Sequence, residues 1–263
     1  MVSFVAKTMS FVLSGSALPV RVRNKADSLF DSLTAPSALE NIRSHGELHE
    51  GLFQLCLPIE HLTEERLQAF EEDLALRQGR LTNSSPPFGT CHNGTATLGR
   101  LCYAACRALR PRVVVETGVA YGVTSSYILQ ALAENGEGEL HSIDLPPLGP
   151  DAKNYVGYLI PPQLRGRWNL RIGSARKLLP EVLRSAGGAD IFIHDSLHTY
   201  AHMKMEFAAA LRALRPGGVL IADDVEGNRA FEEVLQDPCV ASWFAIREKD
   251  KNAICGAVRM GDQ

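Results

Sequence analysis

Apolar positions along this chain follow two rhythms, and the change between them falls near residue 97. Through residues 1–96 no stretch alternates apolar and polar positions as a half-buried strand does. Apolar residues recur instead at helical spacing: Val2, Val5, Met9, Val12 and Leu13 near the start, then Leu67, Phe70 and Leu74 within LTEERLQAFEEDLAL. The latter opens with Thr63 as an N-cap and with acidic residues in its first turn, where they meet unpaired N–H groups and the positive end of the helix dipole. The spacing predicts a helical appendage over 1–96, serving as a lid or an oligomer interface. GRLTNSSPPFGTCHNGTA, 79–96, is dense in Gly, Pro, Ser and Asn and marks a long boundary loop.

From 97 to 263 the texture is that of alternating strands and helices. RVVVET (112–117), ELHSID (139–144), WNLRIG (168–173), ADIFIH (189–194) and GGVLIA (217–222) are short apolar runs bounded by turn residues, as buried parallel strands are. Helical patterns lie between them, and WFAIRE (243–248) with AICGAVRM (253–260), joined by KDKN, reads as a hairpin on the sheet edge. The predicted fold is α/β, a doubly wound, Rossmann-like, mostly parallel sheet, in which ligands bind off the carboxyl ends of the strands.

Composition narrows this little. The 263 residues are 45% hydrophobic and 22% charged, which supports a sizeable core, and the net charge of −3 leaves no basic field for nucleic acid. Six cysteines without CxxC spacing suit a reducing cytoplasm, and Cys102 and Cys106 read as buried thiols. No apolar run is long enough for a membrane span, and the flanks of the first eighteen residues argue against a signal peptide.

The strand ends carry the chemistry. ETGVAYG follows the first strand, placing Glu116, Gly118, Ala120 and Gly122 before a helix whose free N–H groups face a ligand. The spacing is poorly matched to a dinucleotide's G-x-G-x-x-G, and a carboxylate at a strand end suits an amine-bearing ligand. Asp144 closes the second strand, where an acid can accept hydrogen bonds from both hydroxyls of a ribose. Taken singly, Gly118 and Gly122 read equally well as turn glycines and Asp144 as a loop carboxylate. Their register on successive strand ends favours a binding role.

VVVETGVAYG, SID, ADIFIHDSLHTY and LRPGGVLIADDV, in that order, resemble the motif series of class I S-adenosylmethionine (SAM) dependent methyltransferases over about 97–260. The nearest look is to small bacterial O-methyltransferases of natural-product tailoring, and more distantly to catechol O-methyltransferase. The resemblance implies that Glu116, Gly118 and Gly122 hold the methionine end of SAM, Asp144 the ribose, and Ser174 and Ala175 the adenine side. Ala120 stands where the commonest pattern has glycine. Tyr121, in the same loop, is a candidate for packing on the cofactor, although core packing is its ordinary reading, as it is for Tyr200 and Trp243.

Asp195 follows the fourth strand and Asp223 and Asp224 the fifth, so three carboxylates are expected to converge beside the methyl donor. Hard oxygen ligands of this kind select Mg²⁺. In catechol-type enzymes an acid and an Asp-Asn pair at these positions bind Mg²⁺, and here the second residue of the pair is Asp. The competing reading has Asp223 or Asp224 capping the following helix and Asp195 contacting the amino group of SAM. Asn228 is a further candidate ligand or substrate contact. His194, His198 and His202 lie four apart, but His194 belongs to a strand, so no helical metal face forms. His198, on the loop after Asp195, reads as the general base, with an imidazole pKa of about 6.5 suited to a hydroxyl proton at neutral pH. The catechol-type enzymes have lysine at that position, and the competing reading is a solvent-facing loop histidine. His202 reads as surface.

These observations predict a SAM-dependent, Mg²⁺-dependent O-methyltransferase with Asp195 and His198 as its catalytic pair. It acts on a small-molecule hydroxyl by in-line displacement, as a cytoplasmic homo-oligomer without nucleic-acid or membrane partners. An NAD-linked Rossmann oxidoreductase is the first rival, disfavoured by the glycine spacing and the lack of Tyr-x-x-x-Lys; a silent SAM-binding protein is the second. Phenol, sugar and carboxylic acid acceptors all stay open. The Pro- and aromatic-rich segment 145–165 is long enough to be a lid.

Overall fold

The computed structural model describes residues 20–31, 48–58, 65–90, 93–149, 151–248, 251 and 253–262. Among these described residues the first four α-helices are α1 (Val20–Asp31), α2 (Leu48–Gln54), α3 (Glu65–Asn83) and α4 (Ala96–Leu109). The alternating part follows as β1 (Val113–Thr117), α5 (Val123–Asn135), β2 (Glu139–Asp144), β3 (Trp168–Ile172), α6 (Ala175–Ser185), β4 (Ala189–His194), α7 (Tyr200–Ala213), β5 (Leu214–Ala222), α8 (Ala230–Val234), β6 (Val240–Arg247) and β7 (Ile254–Met260). The helical spacing at Val2–Leu13 and the cap at Thr63 lie outside the described residues. The helix expected around Leu67–Leu74 is α3, and it continues to Asn83, past the start of the expected loop at 79.

The seven strands form one sheet in the order β3-β2-β1-β4-β5-β7-β6, parallel except for β7 and β6. The order reverses direction from β1, with β2 on one side and β4 on the other, so a crevice opens above the carboxyl ends of these strands. The pleat sends alternate side chains to opposite faces. Val114 joins a core with α2–α5, whereas Val113 and Val115 join a second core with α6, α7 and α8. Leu52, Leu55, Leu67, Phe70 and Leu74 belong to the first of these clusters, and each such side chain contributes about 1.5–3 kcal/mol on burial. One expected strand differs. WNLRI is half exposed rather than buried on both faces, because β3 is the sheet's outer strand, covered on one side only.

The segment expected to be a lid divides into two. Leu145, Pro146 and Pro147 line the crevice, but Leu159 and Ile160 are buried, and Gly157 and Leu159 donate backbone hydrogen bonds to Ala120 and Tyr121. The second half is therefore pinned to the loop after β1. No helix among the described residues is long and apolar enough to cross a membrane.

Candidate active site

A cavity of about 350 Å³ occupies the crevice, within the usual size of small-ligand sites. Its first wall is the turn between β1 and α5. Gly118 has φ +85°, and a Cβ there would lie 1.7 Å from the carbonyl oxygen of Asp195, so only glycine lets the two strand ends approach. Ala120 is also left-handed, at φ +48°, a conformation costing an L-residue on the order of 1–2 kcal/mol. Asp144 offsets that cost. Its Oδ2 accepts the N–H groups of Val119 at 2.7 Å and Ala120 at 3.0 Å. Burial raises the Asp144 carboxyl above its usual range, with these two hydrogen bonds opposing. Asp144 thus reaches the cavity wall as expected, yet one of its oxygens belongs to the protein's own loop. Ser174 and Ala175, at the start of α6, line the same end, and Ser174 makes no side-chain cap bond.

Three residues expected at the cofactor do not face the cavity. Glu116 is fully buried beneath the turn, where its Oε2 accepts hydrogen bonds from Ser125 and Ser142, both at 2.7 Å. Burial pushes its carboxyl up to about 7, against those two hydroxyls. Glu116 thus ties β1, β2 and α5 together under the site through Oε2, while its Oε1 is buried without a hydrogen-bond partner among the described residues. Tyr121 is buried with its ring stacked on Phe88 at 4.0 Å, and its hydroxyl donates to the Phe88 carbonyl. It holds Phe88, and its N–H donates to Asn93 Oδ1, so that both residues form part of the wall. Gly122 caps α5, close against Gly157 and Ile160.

The opposite wall is acidic. Asp195 sits where β4 ends, its N–H donating to Thr117, and burial together with the Asp223 charge holds its carboxyl well above the usual range. His198 Nδ1 lies 2.9 Å from Asp224 Oδ2, and its Nε2 lies 3.9 Å from Asp195 Oδ1. Because a carboxylate accepts, Nδ1 is the donor to Asp224, and Nε2 is buried without a hydrogen-bond partner among the described residues. Burial alone would raise the Asp224 carboxyl, but His198 and Lys251 hold it down to about 2. Asp224 adopts the left-handed conformation that turns it toward His198. Asp224 stands apart from the tightest group of ligand atoms. Among the described residues the ligand atoms that come within 4.8 Å of one another belong to Asp195, His198 and Asp223, with the imidazole replacing Asp224.

Several contributors were not foreseen. His202 is buried and lines the cavity, not the surface. Its Nε2 and the His194 Nδ1 share the fully buried Glu206, at 2.8 and 2.6 Å, and Thr117 and Ser196 donate to the same carboxylate. Burial would raise Glu206, but the two histidines and their hydrogen bonds hold it far below its usual range. The i,i+4 spacing of His202 and Glu206 was the available signal. Arg21 and Asn24 of α1 line the cavity, and α1 is fastened by Arg21 to the Pro146 carbonyl, by Asp27 to Arg176 and by Asp31 to the Tyr200 N–H. Asn228 is buried away from the cavity, bonding the His198 carbonyl and the Ala230 N–H. Tyr200 bonds Glu233, and Trp243 packs on the second core.

The fold is similar to that of solved SAM- and SAH-bound methyltransferases. Residues 115–225 match the model of the family Methyltransf_24, described as a methyltransferase domain. No curated protein matches the sequence. Among solved structures, the chain is similar to the O-methyltransferase TomG of Streptomyces achromogenes, involved in tomaymycin synthesis and seen in complex with SAM. The TM-score is 0.58 at 19% identity, covering 72% of this chain and 90% of that one. An O-methyltransferase of Bacillus cereus in complex with SAH aligns with a TM-score of 0.54 at 17% identity, over 79% and 94% of the two chains. The SAH-bound methyltransferase PaMTH1 of Podospora anserina aligns with a TM-score of 0.54 at 13% identity, over 94% and 100%.

Proposed function

We propose that this protein transfers the methyl group of SAM to a hydroxyl oxygen of a small molecule, with His198 as the general base. The observation that carries this reading is the His198–Asp224 pair beside the donor turn. Asp224 accepts the Nδ1 hydrogen, which leaves Nε2 to take a hydroxyl proton at the cavity wall. SAM occupies the end formed by Gly118–Ala120, Asp144 and Ser174–Ala175, and the free oxygen of Asp144 accepts from the ribose. Asp195 lies next to the turn and takes the amino group of the methionine moiety. The acceptor oxygen attacks the methyl carbon in line with the departing sulfur; the O–C bond forms as the C–S bond breaks, the hydroxyl proton passes to His198 Nε2, and S-adenosylhomocysteine (SAH) leaves. Arg21 and Asn24 of α1, with Phe88 and Asn93 between α3 and α4, form the roof. That two of the aligned structures are O-methyltransferases supports oxygen as the acceptor atom.

The converging donors are two carboxylates and an imidazole nitrogen in place of the three carboxylates expected, a set less suited to Mg²⁺, which prefers oxygen ligands. Both oxygens of Asp224 are engaged, Oδ2 by His198 and Oδ1 by Lys251 at 3.3 Å. Any cation using Nε2 would also consume the lone pair that the base needs.

The test is His198→Ala, screened with phenolic and sugar acceptors. It should lower kcat by roughly 10²–10⁴ while SAH affinity by calorimetry stays unchanged. A wild-type rate in the variant across pH 6–9 removes the base assignment.

A further inference from the structure

The β6–β7 hairpin brings a cation to the acidic wall. β7 runs antiparallel beside β5, pairing Gly256 with Ala222, so the hairpin turn lies where β5 ends and Asp223 and Asp224 begin. The turn is closed by Glu248 N–H to Ala253 O and by Ala253 N–H to Lys251 O, and it is fastened to the loop after β5 by Ile254 N–H on Glu226 Oε2. Lys251 Nζ sits 2.6 Å from Asp223 Oδ2 and 3.3 Å from Asp224 Oδ1.

Four carboxyl groups crowd this wall: Asp195, Asp223, Asp224 and Glu248. Unpaired, they would repel one another in a poorly solvated space. The Lys251 ammonium offsets this charge by bridging the two residues that follow β5. Asp223, one of the three residues whose ligand atoms converge, has its Oδ2 taken by Lys251. Holding Asp224 there also keeps its other oxygen on His198.

We propose that Lys251 is the resident cation of this acidic wall, standing in for a divalent metal and positioning Asp224 to orient the base. It is a positioning residue, since its contacts are with Asp223 and Asp224 and not with the reacting atoms. This inference rests on the methyl-transfer reading for its catalytic meaning, but its central claim can be tested without an acceptor.

The experiment measures Mn²⁺ and Mg²⁺ binding to the SAH-loaded full chain, by calorimetry and by the Mn²⁺ electron paramagnetic resonance signal. The proteins are the wild type, Lys251→Met, Lys251→Arg and the double variant Lys251→Met with Asp223→Asn. The wild type should bind neither ion below about 1 mM. Lys251→Met should bind Mn²⁺ at least about tenfold more tightly, because a positive charge is gone and two carboxylate oxygens are released. Lys251→Arg should restore exclusion, and the double variant should lose the gained affinity. Submillimolar binding of either ion by the wild type overturns the proposal, as does a Lys251→Met variant that is folded by circular dichroism, binds SAH and gains no Mn²⁺ affinity. If the wild type binds neither SAM nor SAH, the methyltransferase reading falls, while the same titrations on the unloaded chain still decide the role of Lys251.

Discussion

Replacing Asp144 by Ala removes the acceptor that holds Val119 and Ala120 of the donor turn. Two backbone N–H groups, at 2.7 and 3.0 Å, lose a charged partner, each bond being worth about 1.5–3 kcal/mol. The sum of about 3–6 kcal/mol is an upper bound, because the raised Asp144 carboxyl shows that the bonds do not fully offset the cost of burying its charge. A net loss of about 2–4 kcal/mol in unfolding free energy is expected, with Ala120 released from its left-handed conformation. Since the turn is a wall of the donor end, SAH affinity should fall at least about 30-fold, the equivalent of roughly 2 kcal/mol. Asp144→Asn divides the two roles. Its remaining carbonyl oxygen still accepts from Val119 and Ala120, so stability should return to within about 1 kcal/mol of wild type, but the amide NH₂ cannot accept a ribose hydroxyl. Urea unfolding and SAH calorimetry on the three proteins read both effects. Asp144→Ala with wild-type stability and wild-type SAH affinity would refute the reasoning, and Asp144→Asn with full SAH affinity would leave Asp144 as a loop anchor only.

Two further outcomes follow from the same wall. Gly118→Ala should cost at least about 2 kcal/mol and abolish SAH binding, because the added methyl group meets the Asp195 carbonyl and φ is +85°; a soluble variant that melts and binds like wild type counts against the close approach of β1 and β4. Glu116 has a folded pKa of about 7 against 4.5 for a free carboxyl, so the folded state holds the proton more tightly and stability falls as pH rises from about 4.5 to about 7. The loss approaches about 3 kcal/mol by pH 8. Glu116→Gln should flatten that dependence in thermal melts from pH 5 to 8, and an unchanged slope would show that Glu116 does not titrate in this window.

Much of the frame was legible in the chain itself. Strand runs such as VVVET and DIFIH are recognisable because a strand buried on both faces must be apolar throughout, and the register of glycines and acids at their ends is a local, one-dimensional signal. The hairpin with KDKN and the helix around Phe70 were readable for the same reason. Tertiary structure decided what those residues do. Glu116 and Tyr121 stand in the motif but face the core, because the sharp turn at Gly118 sends only its backbone to the cavity. Asp224 meets His198 instead of Asp195, a consequence of a left-handed φ that a sequence pattern does not contain. His202 and Glu206 form a buried pair although a helix with their composition also suits a surface. Lys251 reaches Asp223 across 28 residues only because β7 inserts antiparallel between β5 and β6. Helical and strand periods depend on neighbouring residues and so are written along the chain, whereas the partners of a charged side chain depend on which distant strand ends the topology brings together.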